Sequence, residues 1–441
     1  MTTSLIAADP KQRKRVLSGT LIGTTIEWYD FLIYAQAAGI VLAPLYLEPA
    51  AQDNAQFAQI IAWATLGISF LFRPLGAVIA GHLGDTYGRK MILVFTLIGM
   101  GVATFLIGIL PTYETIGIAA PILLILLRIM QGISAGGEWG GAALMSVEYA
   151  PDHRRGFFGA FPQSGVPLGL TLATAVMLIT MGIVGTENYL EWGWRIPFLM
   201  SIVLVVIGYA IRRLVDESPV FQAMQAESAE RSAPLPLLFK KHWGKVLQGA
   251  LIFAAQQAAG YLVIAFLGSY AQKTLGLSPA VAWTGTLVGG ILWTIFMFVA
   301  GAWSDKIGRR NTFIIGYVLL VFVEAIMWFL VDSANPFLYI LAVALLALPL
   351  ALTLGPQPAM YAEMFPAEVR YSGVSIAYAL GAILGGAFAP MISQMILNAT
   401  GQAWMISVYL IALTVPAFIA LLMLPKNLEE RDLLNLKHEE A

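Results

Sequence analysis

The sequence predicts an all-α membrane protein with twelve transmembrane helices in two six-helix bundles, and three observations predict it. Of 441 residues, 59% are hydrophobic and only 12% are charged, with a mean hydropathy of +0.77, whereas a soluble domain carries about 25% charged residues. A soluble chain of this length needs a polar surface; a lipid-facing one does not. Apolar runs of about 20 residues recur along the whole chain, each long enough to cross a hydrocarbon layer of roughly 30 Å. In lipid such runs must be helices, because the backbone finds no water to bond. The third observation is that the two halves of the chain repeat one another.

Taken in order, the first 16 residues are polar and basic with no small-residue cleavage site, so the first apolar run reads as a retained helix and not a cleaved signal peptide. The runs lie near 17–44, 59–80, 91–110, 117–148, 157–181, 196–214, 246–270, 281–300, 312–330, 337–362, 372–397 and 404–424. Short loops such as 111–115 and 333–336 join most of them. The exception is a hydrophilic stretch over 212–245, which divides six helices from six. The expected organisation is an N-terminal bundle over 1–215, a cytoplasmic linker over 216–245, a C-terminal bundle over 246–424 and a short cytoplasmic tail over 425–441.

Orientation follows from the basic residues. Of the 25 Lys and Arg, 21 fall in the N-terminal tail, the even-numbered loops and the C-terminal tail; Arg195 and Lys273 fall on the other side, and Arg73 and Arg128 lie inside helices. Basic loops mark the cytoplasmic side, so both termini and the central loop are expected there. All four histidines fall on that side too, which argues against a histidine-based metal or catalytic centre within the membrane. The absence of cysteine excludes disulfides, thiolate metal sites and cysteine nucleophiles. A net charge of −1 gives no sign of a nucleic-acid partner. No enzyme and no metal are expected.

The repeat is visible residue by residue. Gly81, Asp85, Gly88, Arg89 and Lys90, after the second helix, recur 220 positions later as Gly301, Asp305, Gly308, Arg309 and Arg310. Glu148, Pro151 and Arg155 recur 215 positions later as Glu363, Pro366 and Arg370. Parallel repeats joined by a long loop are a recurrent transporter architecture, with substrate held at the interface of the repeats.

These residues resemble a family. The run from Gly81 to Lys90, with its degenerate copy from Gly301 to Arg310, is similar to the signature of the major facilitator superfamily, and Arg128, Gln131 and Gly132 resemble its second motif. Within it, Glu27-Trp28-Tyr29-Asp30-Phe31, Phe72-Arg73-Pro74-Leu75-Gly76, Gly136-Gly137-Glu138-Trp139-Gly140, the segment from Trp192 to Phe198 and the segment from Glu363 to Arg370 are similar to the metabolite:proton symporter family. That family includes bacterial carriers of shikimate, 2-oxoglutarate, citrate, proline and betaine. The resemblance runs from the first helix to the eleventh. It implies the major facilitator fold, alternating access, a small polar metabolite as substrate, the proton gradient in place of any cofactor, and a place in the bacterial inner membrane as a working monomer. The short tail over 425–441 departs from the long coiled-coil tail of the osmosensing betaine carriers.

Ionisable groups inside a membrane are costly and functional by default. Glu27 and Asp30, with Tyr34 one turn further on, lie near the middle of the first helix. A carboxyl there either carries the coupled proton or forms a permanent ion pair with Arg73 or Arg128. A buried guanidinium needs an anion, supplied by the protein or by the substrate. On the fourth helix Gln131 and Glu138 stand seven residues apart, on one face; Glu138 is a proton-transfer or cation-binding candidate, or a structural acid. The glycines of that helix read as close-packing positions. The expected substrate contacts are Tyr34, Gln131, Gln163, Gln256, Gln257, Tyr261, Gln357, Tyr361 and Tyr378, each with interhelical hydrogen bonding as its alternative. Glu324, on a peripheral helix, is discounted. Asp85, Arg89, Asp305 and Arg309 sit at helix ends, and the resemblance implies a cytoplasmic latch; solvated charges fixing topology are the alternative. Trp192 and Trp194 read as interfacial anchors.

The leading expectation is a proton symporter importing an organic acid or a zwitterion. A uniporter or exporter on the same scaffold, or a non-transporting membrane sensor, are the alternatives.

Overall fold

The structure, a computed structural model, describes residues 10–51, 55–87, 89–136, 138–213, 234–366 and 369–430. Among these residues the chain is helical, with no strand. Ten segments are long and apolar enough to cross a membrane: α1 (Arg13–Leu47), α2 (Gln59–Ile79), α4 (Ala119–Glu148), α5 (Asp152–Val184), α7 (Trp243–Lys273), α8 (Pro279–Ile307), α9 (Arg309–Val331), α10 (Pro336–Met364), α11 (Arg370–Thr400) and α12 (Met405–Leu422). The span α6 is a pair, Thr186–Gly193 and Arg195–Ala210, bent by 49°. The remaining span, α3, is the helix Arg89–Ile109, whose apolar part is the shorter Val94–Ile109. These twelve segments match the twelve apolar runs. The helix containing α2 extends over Ala55–Tyr87.

Burial sorts the spans. In α1 and α7, 83% and 94% of the apolar window is buried, and none of the other eight unbroken spans exceeds 61%, so these two helices run through the centre. Side chains such as Phe95, Ile183, Phe329 and Phe337 are exposed on outer helices, where lipid supplies the apolar neighbours that protein does not.

Without a hydrophobic force between helices in lipid, close packing depends on small residues, and glycine seams recur in both halves. A methyl group at Gly165 or Gly169 of α5 would collide with Thr24 or Trp28 of α1. Equivalently, Gly381 and Gly385 of α11 rest on the carbonyls of Ala250 and Ala254 of α7. Gly132 and Gly136 of α4 rest on the carbonyls of Ser69 and Arg73 of α2, and Gly355 of α10 rests on that of Met297 of α8.

The breaks recur as well. Regular α-helix in α4 stops at Ala135 and restarts at Trp139; in α10 it stops at Leu354 and restarts at Gln357. A π-helical segment interrupts α1 over Ala38–Leu47, around Pro44, and α7 over Leu262–Phe266. Such breaks are tolerated at membrane depth only where protein covers the backbone, and they gather at functional sites.

The two halves meet along α5–α8 and α2–α11. They touch on the side of the termini, where Gly156 abuts Gly301, and on the opposite side, where the Lys273 ammonium donates to Gln59 Oε1 at 2.6 Å and the rings of Tyr189 and Trp283 meet at 5.3 Å. One expectation needs correcting. Trp194 is not an interfacial anchor: it is fully buried, with the Arg195 guanidinium 4.6 Å from its ring centre. Arg195 also donates to the carbonyls of Gly108 and Leu110, pinning α6 to the end of α3. Trp192 is exposed.

Candidate functional site

At the centre, two guanidiniums share one aromatic cage. Arg73 of α2 lies 4.3 Å from the ring centre of Phe70, 4.8 Å from that of Phe31 and 5.5 Å from that of Trp28. Arg128 of α4 lies 3.8 Å from the Tyr34 ring and 4.8 Å from the same Phe31. Arg128 donates to Gln131 Oε1 at 2.5 Å and to the Thr65 carbonyl at 3.4 Å, while Gln131 donates to Thr104 Oγ1 at 2.7 Å. The Tyr34 hydroxyl pairs with Thr65 Oγ1 at 2.6 Å. Tyr34 and Gln131 thus hold Arg128 in place.

The ion pairs expected for Arg73 and Arg128 are not formed: among the described residues no carboxylate lies within ion-pair distance of either. Arg73 Nε and Arg128 Nη2 are buried with no protein acceptor. Cation–π contacts contribute about 0.5–2 kcal/mol, less than the several kcal/mol needed to strip water from an ion. The cage alone does not offset the burial of two positive charges.

The reason lies in the direction of Asp30. It is fully buried and neither oxygen has a hydrogen-bond partner. A methyl group on Gly101 of α3 would stand 3.3 Å from Asp30 Oδ2, and Val205 of α6 covers the same glycine. Asp30 therefore faces the α1–α3–α6 junction and not the arginines. Its neighbour Tyr29 donates to the Pro197 carbonyl of α6 at 2.7 Å. Glu27 is near enough to interact electrostatically with Asp30 and with Tyr378 of α11. Glu138 is buried beside α3, accepting from Thr96 Oγ1 at 3.4 Å.

The C-terminal half brings neutral polarity to the same centre. The Tyr261 ring of α7 meets Phe70 at 5.2 Å and Phe31 at 6.1 Å, edge-on. Tyr378 lies near Arg73 and stacks on Phe253 at 4.6 Å. Gln256 Oε1, Gln257 Nε2, the Tyr261 hydroxyl and Gln357 Nε2 are buried without a protein partner; such a group costs about 1–3 kcal/mol when left unsatisfied. Tyr361 is different: its hydroxyl donates to the Gly249 carbonyl at 2.6 Å, so it fastens α10 to α7. Gln163 and Gln357 bond each other across the halves at 2.8 Å.

Toward the termini, Asp305 at the end of α8 caps the first turn of α5. Gly156 N–H donates to Oδ1 at 2.8 Å and Phe157 N–H to Oδ2 at 2.9 Å, where the helix dipole favours an anion. Arg309 holds Asp305 at 2.7 Å and Glu363 Oε1 at 3.4 Å, and Arg155 lies 3.9 Å from the same Glu363 oxygen. The first copy of this motif, Asp85 and Arg89, lies among side chains outside the described residues. Sequence reasoning missed Trp139, whose indole donates to Gln163 Oε1 at 2.6 Å; its signal was an aromatic residue set among glycines. It also missed the bond that Lys273 makes to Gln59 across the halves.

The family model described as Major Facilitator Superfamily matches residues 31–390 and 293–439. An inner membrane metabolite transport protein of Escherichia coli is 38% identical over 423 residues, covering 93% of this chain and 94% of that one. The shikimate transporter of Escherichia coli is 36% identical over 438 residues, covering 96% and 99%. Among solved structures, the E. coli xylose transporter in a partially occluded inward open conformation superposes with a TM-score of 0.75 at 17% identity, covering 94% of this chain and 98% of that one, which speaks to the fold. The chain is therefore a multi-pass membrane transporter, not an enzyme, and it belongs to the major facilitator superfamily, among its metabolite transporters.

Proposed function

We propose that this transporter imports a small organic acid, bearing a carboxylate and neighbouring hydroxyls, by proton symport with alternating access. The observation that carries the reading is the pair of buried guanidiniums, Arg73 and Arg128, neither of which forms an ion pair with a carboxylate among the described residues. A substrate carboxylate supplies the missing anion, and a planar guanidinium matches its two oxygens. Gln256, Gln257, Tyr261 and Tyr378 take the substrate's hydroxyls. The similarity to a shikimate transporter supports a hydroxylated acid. Asp30 carries the coupled proton, with Glu27 and Glu138 as its neighbours in the same bundle.

In this reading the protein lies in the bacterial inner membrane as a monomer, with both termini cytoplasmic. The bundles divide as 1–215 and 246–424. Asp305 and Arg309 latch the cytoplasmic side, and the repeat assigns the same task to Asp85 and Arg89. The deciding experiment is uptake into proteoliposomes of a panel of hydroxy acids, dicarboxylates, tricarboxylates and betaines, with and without an imposed pH difference. A hydroxy acid accumulating only under an inward proton gradient is the expected result. Equal uptake without the gradient points to a uniporter, and accumulation of betaine alone sinks the acid assignment.

Two smaller tests follow from the same geometry. The chain has no cysteine, so Glu187→Cys and Asp152→Cys, both at exposed positions, label without background. An impermeant thiol reagent added outside intact cells is expected to reach the first and not the second; the opposite pattern reverses the orientation. Asp305→Asn keeps the shape of the cap and removes its charge. A hydrogen bond to a charged group contributes about 1.5–3 kcal/mol, so cytoplasmic accessibility of the path is expected to rise about tenfold, with a similar amount of folded protein.

A further inference from the structure

We propose that Trp139 is the cytoplasmic floor of the substrate site, a side chain of the N-terminal half locked by the C-terminal half, which must swing away before substrate can leave inward.

Depth is the first argument. Trp139 lies nine residues from Glu148 at the end of its helix, Gln163 eight from Arg155, Gln357 seven from Met364 and Tyr378 eight from Arg370. At 1.5 Å per residue, all four stand about 10–14 Å in from the same side. Arg73 lies 14 residues from Tyr87 at the end of its helix, about 21 Å in. The four residues therefore form a layer between the arginine site and the Asp305 latch.

Contacts within the layer cross the two halves. The Trp139 indole stacks on Tyr378 of α11 with ring centres 3.7 Å apart and planes 13° from parallel, and Tyr378 in turn stacks on Phe253 of α7. Its N–H donates to Gln163 Oε1, and Gln163 Nε2 donates onward to Gln357 Oε1 of α10. Trp139, Gln163, Gln357 and Tyr378 are all buried. Gln163 and Gln357, expected from sequence to touch substrate, here bond one another.

The backbone supplies the hinge. Trp139 is the first residue after the break in α4, and Gln357 the first after the matching break in α10. Each half thus places one member of the layer at the start of a short helix, Trp139–Glu148 and Gln357–Met364, that follows a break in its span. A core tryptophan serving only packing has no need of a broken helix beneath it, nor of a hydrogen-bond chain ending in the other half.

The test measures access, so it does not rest on the substrate assignment. Tyr261→Cys places a thiol in the arginine layer, and an impermeant reagent is applied to the cytoplasmic face of inside-out vesicles, with labelling after denaturation as the measure of total protein. In the background of Trp139→Ala the labelling rate is expected to rise about tenfold or more, equivalent to 1.4 kcal/mol per factor of ten. Trp139→Phe keeps a stacking ring and is expected to stay near the parent rate. Gln357→Leu, which breaks the cross-bundle bond with little change of volume, is expected to fall between. Unchanged rates in both Trp139→Ala and Gln357→Leu overturn the proposal. Should Trp139→Ala fail to reach the membrane, the rate in Gln357→Leu decides alone. If access rises while no acid in the panel is transported, the floor stands and the acid reading falls.

Discussion

Asp30→Asn is expected to abolish accumulation driven by a proton gradient while leaving exchange of substrate across the membrane intact. A pH difference of one unit is worth about 1.4 kcal/mol per proton, so a one-proton symporter concentrates its substrate about tenfold; in the variant the ratio should fall to about one. Asp30 is buried with no partner for either oxygen, and a charge in that position costs several kcal/mol. The neutral acid escapes the cost. Binding and release of the proton therefore alter the relative free energy of two packings of α1 against α3 and α6 that shield Asp30 differently, which is what coupling requires. Asparagine fixes the neutral shape at almost the same volume. Gradient-driven accumulation at the parental level would remove Asp30 from the mechanism and move attention to Glu138. Loss of exchange as well would assign Asp30 a structural role.

Arg73→Gln should weaken binding of a carboxylate substrate by about tenfold to a hundredfold, the effect of losing about 1.5–3 kcal/mol of charge-assisted hydrogen bonding. Arg73→Lys keeps the charge but loses the flat contact with Phe31 and Phe70, so an intermediate loss is expected. Arg128→Gln should be at least as severe, because Arg128 also organises Tyr34, Thr65 and Gln131. Competition by the acid and by its uncharged amide, measured side by side, checks the assignment. The amide should bind parent and Arg73→Gln alike. An acid that binds Arg73→Gln as well as it binds the parent protein rules out Arg73 as its anchor.

The spans were legible because lipid imposes a length and an apolar composition that no other environment demands. The two-fold repeat was legible because Asp85 and Asp305 stand in matching runs. The direction of buried charges was not. Asp30 is only about 60° around the helix from Glu27, and whether that angle faces the arginines or Gly101 depends on how α1 is rotated against α3, which glycines on other helices decide. The bond between Gln163 and Gln357 joins residues 194 positions apart, so no local pattern announces it. The glycines of α4 read as packing positions, and Gly132 and Gly136 do pack on α2. What sequence alone does not reveal is that the same run also ends a helix and sets Trp139 on a new one. Trp194 illustrates the converse: the sequence holds two tryptophans near one interface, and only the fold of α6 turns one of them inward.

The glycine seams that join α1 to α5 and α7 to α11 bear on how far a small event can be felt. Helices interlocked backbone to backbone make each half a stiff beam, and a beam pivoted near the middle of the membrane is a lever. The arginine layer lies about 20 Å from the terminal side, so a tilt of about 10° carries the far end of the arm through about 3.5 Å. That travel is enough to pull Asp305 off the amides of Gly156 and Phe157, which it meets at 2.8 and 2.9 Å. If substrate and proton act on the short arm as proposed, the long arm enlarges their small displacement where Asp305 caps the helix, at the cost of force.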